Sequence, residues 1–88
     1  MRQLVTVTEV EGEGLDAFLG KEILILCVNY FYTGILEGVN TTCIKLKGAR
    51  LVYETGPFTS AGYTDAQALP GSEWYIQMSA IESFGPGK

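Results

Sequence analysis

Three strand-like segments follow one another in the middle of the chain, with only short turns between them. "EILILCV" (22–28) is a continuous apolar run, which is typical of a strand covered on both faces. "YFYTGILEGV" (30–39) is aromatic and β-branched, and "TCIKLKGARLVYE" (42–54) alternates apolar with polar residues. Gly34 and Gly48 interrupt the last two segments, and an interior glycine marks a bend or a close backbone approach. The pattern predicts bent strands that curl into a closed or nearly closed small barrel.

The remaining segments predict a short helix, a long loop and a final pair of strands. "LDAFLG" (15–20) has the spacing of a single helical turn that ends at a glycine. Residues 55–72 are small, polar and rich in glycine, which predicts a long loop where Thr64 could cap a further helical turn. Residues 73–84 predict two strands, and residues 1–14 an arm. The length suits one domain, which we predict to be mainly β.

The composition restricts the kinds of partner. Apolar residues make up 47% of the chain and charged residues 18%. For a small domain with a large surface this is an apolar composition, so we predict contact with another subunit. The formal net charge of −4 lacks the basic excess that drives non-specific binding to nucleic acid. Contact with nucleic acid would therefore depend on a local basic patch, base stacking or hydrogen bonds.

The supply of reactive side chains argues against an enzyme. Histidine and CxxC pairs are absent, which leaves no conventional zinc site and no Ser–His or Cys–His nucleophile. Cys27 and Cys43 lie in apolar runs and are predicted to be buried, reduced thiols. The acids are scattered without an evident pair. We predict no catalysis, no metal and no cofactor. No segment resembles a signal peptide or a membrane span, so we expect a soluble, cytoplasmic protein without a membrane partner.

The order of these elements resembles that of the Sm and Sm-like (LSm) family, which includes the bacterial RNA chaperone Hfq. "FLGKEILILCV" (18–28) is similar to the family's helix end and first strand, and "WYIQMSAIESF" (74–84) to its second motif. "YTGILEGVN" (32–40) is similar to the core of the first motif, which has a glycine, an apolar pair and a polar turn. The matching positions are Gly34, Ile35, Leu36, Gly38, Val39 and Asn40. The likeness spans about residues 15–84.

The resemblance implies an Sm-like fold, with a short N-terminal α-helix followed by a strongly bent five-stranded antiparallel small barrel. It also implies a homo-oligomeric ring of about five to seven subunits, in which residues 73–78 of one copy pair with residues 80–84 of the next. Members of the family bind single-stranded RNA and act as chaperones or scaffolds. We expect the same function here, at the pore or on one face of the ring.

Six residues correspond to the turn and loop with which the family binds RNA. They are Asn40, Thr41, Thr42, Gln77, Met78 and Ser79. Asn40 replaces the aspartate of Sm proteins, no second asparagine follows it, and the second loop lacks the family's cation. Short polar groups at these positions can still bond to a base edge. The alternative is that Asn40 only closes a left-handed turn with its amide, and that residues 77–79 only connect two strands.

Three cations form a candidate basic patch: Lys45 and Lys47 on the polar face of one predicted strand, and Arg50 beyond the glycine bend. Around a ring they would form a basic belt, and a solvated strand face is the alternative. The aromatic cluster at 30–32 could stack on bases, although strand aromatics usually serve packing. A second class of function also fits the sequence: a structural or protein-interaction module that uses the 55–72 loop and binds no nucleic acid.

Overall fold

The computed structural model describes residues 14–88, which form one antiparallel sheet of six strands. The strands are β1 (Glu22–Cys27), β2 (Phe31–Val39), β3 (Cys43–Glu54), β4 (Asp65–Ala68), β5 (Glu73–Gln77) and β6 (Ile81–Pro86). Two 3-10 helices, Gly14–Phe18 and Met78–Ala80, complete the described elements. The sheet order is β4-β3-β2-β1-β6, and β5 pairs with β3. The prediction of a mainly β, antiparallel fold is confirmed.

The apolar run of β1 is covered on both faces, as its composition predicted. Ile23 and Ile25 are fully buried and belong to the main core, while Leu24 points to the opposite face and is 7% exposed. β1 pairs with β2 on one side and with β6 on the other. This central position in the sheet explains why the strand carries almost no polar residues.

Gly34 allows β2 to approach β3 closely. A Cβ atom at this position would lie 3.2 Å from the Ala49 Cα atom and 3.2 Å from the Lys47 carbonyl oxygen. The register between the two strands shifts between Thr33 and Ile35. The buried Thr33 hydroxyl donates to the Ile23 carbonyl oxygen at 2.9 Å. The mid-strand glycine therefore marks a close backbone approach, which confirms the sequence interpretation.

β3 bends at Gly48, and the two halves of the strand have different partners. Gly48 has a φ of +63°, which glycine adopts without steric cost. Before the bend β3 pairs with β5, and after it with β4. Leu46 and Ala49 are both buried across the bend, so the inward-facing register changes there. The prediction that the strand bends at Gly48 and continues to Glu54 is confirmed.

One apolar core lies inside this bent sheet. Its buried members are Ile23, Ile25, Cys27, Leu36, Ile44, Leu46, Ala49 and Ile76. Leu15, Phe18, Trp74, Met78 and Ile81 are among the partly buried side chains that pack against it. Cys27 is a buried free thiol, as predicted, whereas Cys43 is only partly buried.

Two predicted helical segments are wrong. The predicted N-terminal α-helix is a 3-10 helix over Gly14–Phe18, because a segment this short cannot stabilise α-helical hydrogen bonds by itself. The turn expected to be helical after Thr64 is strand β4, whose residues pair with β3 between Arg50 and Glu54. β3 extends beyond its bend, and pairing with this part of β3 determines the strand conformation of β4. The predicted arm at 1–14 falls almost wholly outside the described residues.

The predicted closure into a barrel is also wrong. β5 pairs only with β3 and β6 pairs only with β1 within residues 14–88. The 3-10 helix Met78–Ala80 joins these two strands directly, and no ladder of hydrogen bonds connects them. The fold is therefore an open six-stranded sheet instead of a five-stranded barrel. β4 adds the sixth strand, and β5 and β6 do not pair with each other to close the sheet.

Candidate functional site

The turn between β2 and β3 is closed by the Asn40 side chain. Its Oδ1 atom accepts hydrogen bonds from the Thr42 backbone N–H at 2.8 Å, the Thr42 hydroxyl at 2.9 Å and the Cys43 backbone N–H at 2.8 Å. The Asn40 backbone N–H donates to the Cys43 carbonyl oxygen at 3.0 Å. Asn40 does not have a positive φ, so the alternative of a left-handed turn is wrong, but amide closure of the turn is confirmed. The side-chain oxygen is engaged within the turn itself.

The connection between β5 and β6 lies directly beside this turn. The Met78 backbone N–H donates to the Thr42 carbonyl oxygen at 2.8 Å, and Cys43 pairs with Gln77 at the adjacent ladder position. The shared surface is an open depression of about 550 Å³. We call it the turn depression, and its lining residues are Thr41, Thr42, Cys43, Gln77, Met78 and Ser79.

Five of the six predicted RNA-contacting residues therefore line one surface. Asn40 lines a neighbouring depression with Gly38, Val39, Cys43, Lys45 and Tyr75. Cys43 is the lining residue that the sequence interpretation missed, because its apolar surroundings suggested a buried thiol. Its place as the first residue of an alternating strand, next to the turn, is the signal that could have indicated it.

The turn depression offers neutral hydrogen-bonding groups. Thr41, Thr42, Gln77 and Ser79 are exposed, and Met78 is half-buried against the core. Hydroxyl and amide groups can donate to and accept from the edge of an unstacked base. No cation lies among the lining residues, so this surface cannot neutralise a phosphate group by itself.

The three cations of the candidate basic patch have different neighbours. The Lys45 ammonium lies 2.5 Å from a Glu73 carboxylate oxygen and 4.0 Å from one of Glu37. The hydrogen bond to Glu73 is the main reason why the pKa of Lys45 is raised. Lys47 is exposed before the bend, whereas the Arg50 guanidinium lies beyond it, 5.4 Å from the centre of the Tyr63 ring. The positive charge is therefore dispersed, and acids largely offset it at Lys45.

An aromatic pocket lies between the β1–β2 turn and β5. Its volume is about 230 Å³, and it is lined by Cys27, Val28, Asn29, Tyr30, Tyr32, Trp74, Tyr75, Ile76, Gln77 and Ala80. The Tyr30 and Tyr32 rings meet edge to face, with centres 6.5 Å apart. Burial is the main cause of a raised pKa for both Tyr32 and Cys27. Of the predicted aromatic cluster at 30–32, Tyr30 and Tyr32 line this pocket. The sequence interpretation misses their neighbours in β5, for which the aromatic pair "WY" is the available signal.

Within residues 14–88, the outer edge of β5 combines unpaired backbone groups with exposed apolar surface. Hydrogen-bonded pairs alternate along an antiparallel ladder. The bond from Met78 N–H to the Thr42 carbonyl oxygen therefore directs the Tyr75 backbone N–H away from β3. The Tyr75 side chain is 59% exposed, and nearby Val28 is 80% exposed. This edge has the properties of a surface that pairs with another strand.

Comparisons of the chain with protein-family models, with curated proteins and with solved structures find no match. In the part of the chain that the structure describes, no helix is long and apolar enough to cross a membrane.

Proposed function

We propose that this protein is a Sm-like, self-assembling subunit that forms a homomeric ring through its sheet edges. The observation that carries the proposal is that β5 and β6 each pair with a single neighbouring strand within residues 14–88 and so keep one open edge, as the short strand β4 also does. Unpaired strand edges invite pairing with another chain, and a head-to-tail contact closes when the rotation per subunit divides the circle. Pairing of β5 in one copy with β6 in the next uses the two edges once each. It would also cover the exposed Tyr75 and Phe84 side chains.

The turn depression supports single-stranded RNA as the ligand of such a ring. Two segments more than 30 residues apart in sequence converge there, and their exposed hydroxyl and amide groups suit a base edge. A ring would repeat the depression once per subunit, so that successive bases could each meet an equivalent set of groups. Binding without catalysis, as a chaperone or scaffold, is the corresponding role.

A protein-interaction module without nucleic-acid binding is the second candidate function. The net charge of −4 per chain is multiplied in a ring and repels a polyanion. The ion pairs of Lys45 reduce the available positive charge further. The aromatic pocket between the β1–β2 turn and β5 favours this candidate, because aromatic side chains are enriched in protein interfaces.

The assembly is tested with two substitutions at the same edge position. Tyr75→Pro removes a backbone N–H that points away from β3, so it should block pairing between copies and leave the β3–β5 ladder in place. Tyr75→Thr removes the same ring but keeps the N–H. We expect light scattering to give a ring for the wild type and for Tyr75→Thr, and a monomer for Tyr75→Pro. A monomeric wild type, or a ring that persists in folded Tyr75→Pro, would contradict assembly through β5.

RNA binding is tested with fluorescent oligo-U and oligo-A at two salt concentrations, on protein sized by light scattering. We expect salt-sensitive, base-selective binding that Gln77→Leu and Ser79→Ala weaken. Thr59→Ala, in the exposed loop away from the turn depression, is the matched control and should leave the affinity unchanged. Absence of binding by an intact ring at low salt would refute the RNA proposal and favour the interaction module.

A further inference from the structure

The loop from Thr55 to Tyr63 surrounds the Lys88 side chain with oxygen atoms. The Lys88 Nζ atom lies 2.5 Å from the Thr55 carbonyl oxygen, 2.8 Å from that of Pro57 and 3.0 Å from that of Gly62. A lysine ammonium group has three N–H donors and no acceptor. Three converging carbonyl oxygens therefore match its donors one for one. The Ser60 hydroxyl oxygen lies farther away, at 3.4 Å.

Two aromatic rings complete this ammonium cage, which we define as the three carbonyl groups together with the rings of Phe58 and Tyr63. The Lys88 Nζ atom lies 5.1 Å from the centre of the Tyr63 ring and 5.4 Å from that of Phe58. A cation within about 6 Å of a ring centre is attracted by the quadrupole of the ring. Carbonyl dipoles and ring faces thus both favour a positive charge at this point.

Contacts that do not involve Lys88 hold the cage in shape. The Pro57 carbonyl oxygen accepts from the Ser60 backbone N–H at 3.0 Å and from the Ser60 hydroxyl at 2.7 Å. Gly56 has a φ of +67°, and a Cβ atom there would lie 2.4 Å from the Thr64 hydroxyl oxygen. The loop therefore depends on a glycine and a serine for its conformation. Its carbonyl oxygens should remain convergent when the lysine side chain is removed.

We propose that this loop is a binding site for a primary ammonium group, filled within the chain by Lys88 and open to a free ammonium ion or small primary amine once Lys88 is replaced. The N–H donors set the selectivity among organic cations. Tetramethylammonium has the charge but no N–H group, so it cannot donate to the carbonyl oxygens. A potassium ion needs no donor, because it coordinates carbonyl oxygens directly, and it can compete for the same site. A guanidinium group is planar with its five donors in a fixed fork, so it does not fit a site built around a single nitrogen. The site is separate from the turn depression and does not depend on assembly.

The test compares Lys88→Gln with the wild type during thermal unfolding, at constant ionic strength, as sodium chloride is replaced by ammonium chloride. For Lys88→Gln we expect a progressive rise in Tm that reaches roughly 5–10 °C when ammonium is at about ten times its dissociation constant. Tetramethylammonium chloride should not reproduce this rise, and the wild type should not show it. An equal response to ammonium and tetramethylammonium, or an equal response of wild type and variant, would overturn the proposal.

A measurement on the wild type keeps the proposal testable if Lys88→Gln does not fold. In protein labelled with ¹⁵N-lysine, the Lys88 ammonium protons should exchange slowly enough with water to give a resolved signal at low temperature. The ε-methylene protons of Lys88 should be shifted upfield by the two rings. Lys45→Gln removes the other hydrogen-bonded lysine signal and secures the assignment. A Lys88 signal that exchanges as fast as that of exposed Lys47 would overturn the proposal.

Discussion

Replacement of Asn40 separates its role in the turn from a role in binding RNA. Asn40→Ala removes the oxygen that accepts three hydrogen bonds from Thr42 and Cys43. Asn40→Asp keeps an oxygen at that place but replaces the amide nitrogen, which is the part of the side chain left to face a ligand. The two variants should therefore differ in stability even if both lose affinity for a base.

The expected loss of stability follows from the number and exposure of these bonds. A hydrogen bond contributes about 0.5–1.5 kcal/mol net, and an exposed turn corresponds to the lower half of that range. Loss of a comparable capping side chain costs about 1 kcal/mol. We expect Asn40→Ala to lower the free energy of unfolding by about 1–2 kcal/mol, and Tm by roughly 5–15 °C for a chain of this size. Asn40→Asp should remain within about 0.5 kcal/mol of the wild type.

Urea unfolding followed by tryptophan fluorescence measures these differences, and oligo-U titration of the same samples measures binding. Thr41→Ala, at the exposed next position of the turn, is the control for stability. An Asn40→Ala variant as stable as Thr41→Ala would refute the assigned structural role. If Asn40→Asp keeps both stability and full affinity for RNA, the amide nitrogen does not contact a base.

Three further predictions concern β-sheet positions. Gly34→Ala should lower the free energy of unfolding by about 1–3 kcal/mol, because its Cβ would lie 3.2 Å from β3 backbone atoms. Gly38→Ala, whose Cβ meets no atom within 4 Å, should cost less in the same urea titration. Peptide mapping after iodoacetamide at pH 8 should find Cys43 modified before Cys27, because Cys27 is buried and its pKa is raised. The pKa of Lys45 is raised in the folded state. Its ion pairs therefore stabilise the folded protein fully at pH values below the ordinary lysine pKa of about 10.4. They stabilise it less as the pH rises through the raised pKa of the folded state. The stability difference between wild type and Lys45→Met should therefore be flat up to about pH 10 and shrink above it.

The sequence predicted those elements whose conformation is determined within their own residues. The apolar run of β1 indicated burial on both faces, and Gly34 and Gly48 indicated the close approach and the bend. β4 could not be recognised in this way. Only one of its four residues is even partly buried, so it has no apolar alternation, and it is a strand because β3 offers it an edge beyond Gly48. Closure of a barrel likewise depends on where distant edges lie, which no local pattern encodes.

The meeting of the two predicted RNA-binding segments follows from sheet topology before any ligand is considered. β3 begins at Cys43, immediately after the turn, and β5 ends at Gln77, the residue that pairs with Cys43. Any chain with this pairing places the β2–β3 turn beside the β5–β6 connection, whatever it binds. Convergence alone therefore cannot distinguish an RNA-binding ring from an interaction module built on the same sheet. The distinction depends on side-chain chemistry at Thr41, Gln77 and Ser79, where neutral donors and acceptors suit a base edge and the absence of a cation weakens the hold on phosphate. An RNA ligand of this surface should accordingly be held by its bases more than by its backbone, and its affinity should depend on salt less steeply than that of a basic binder.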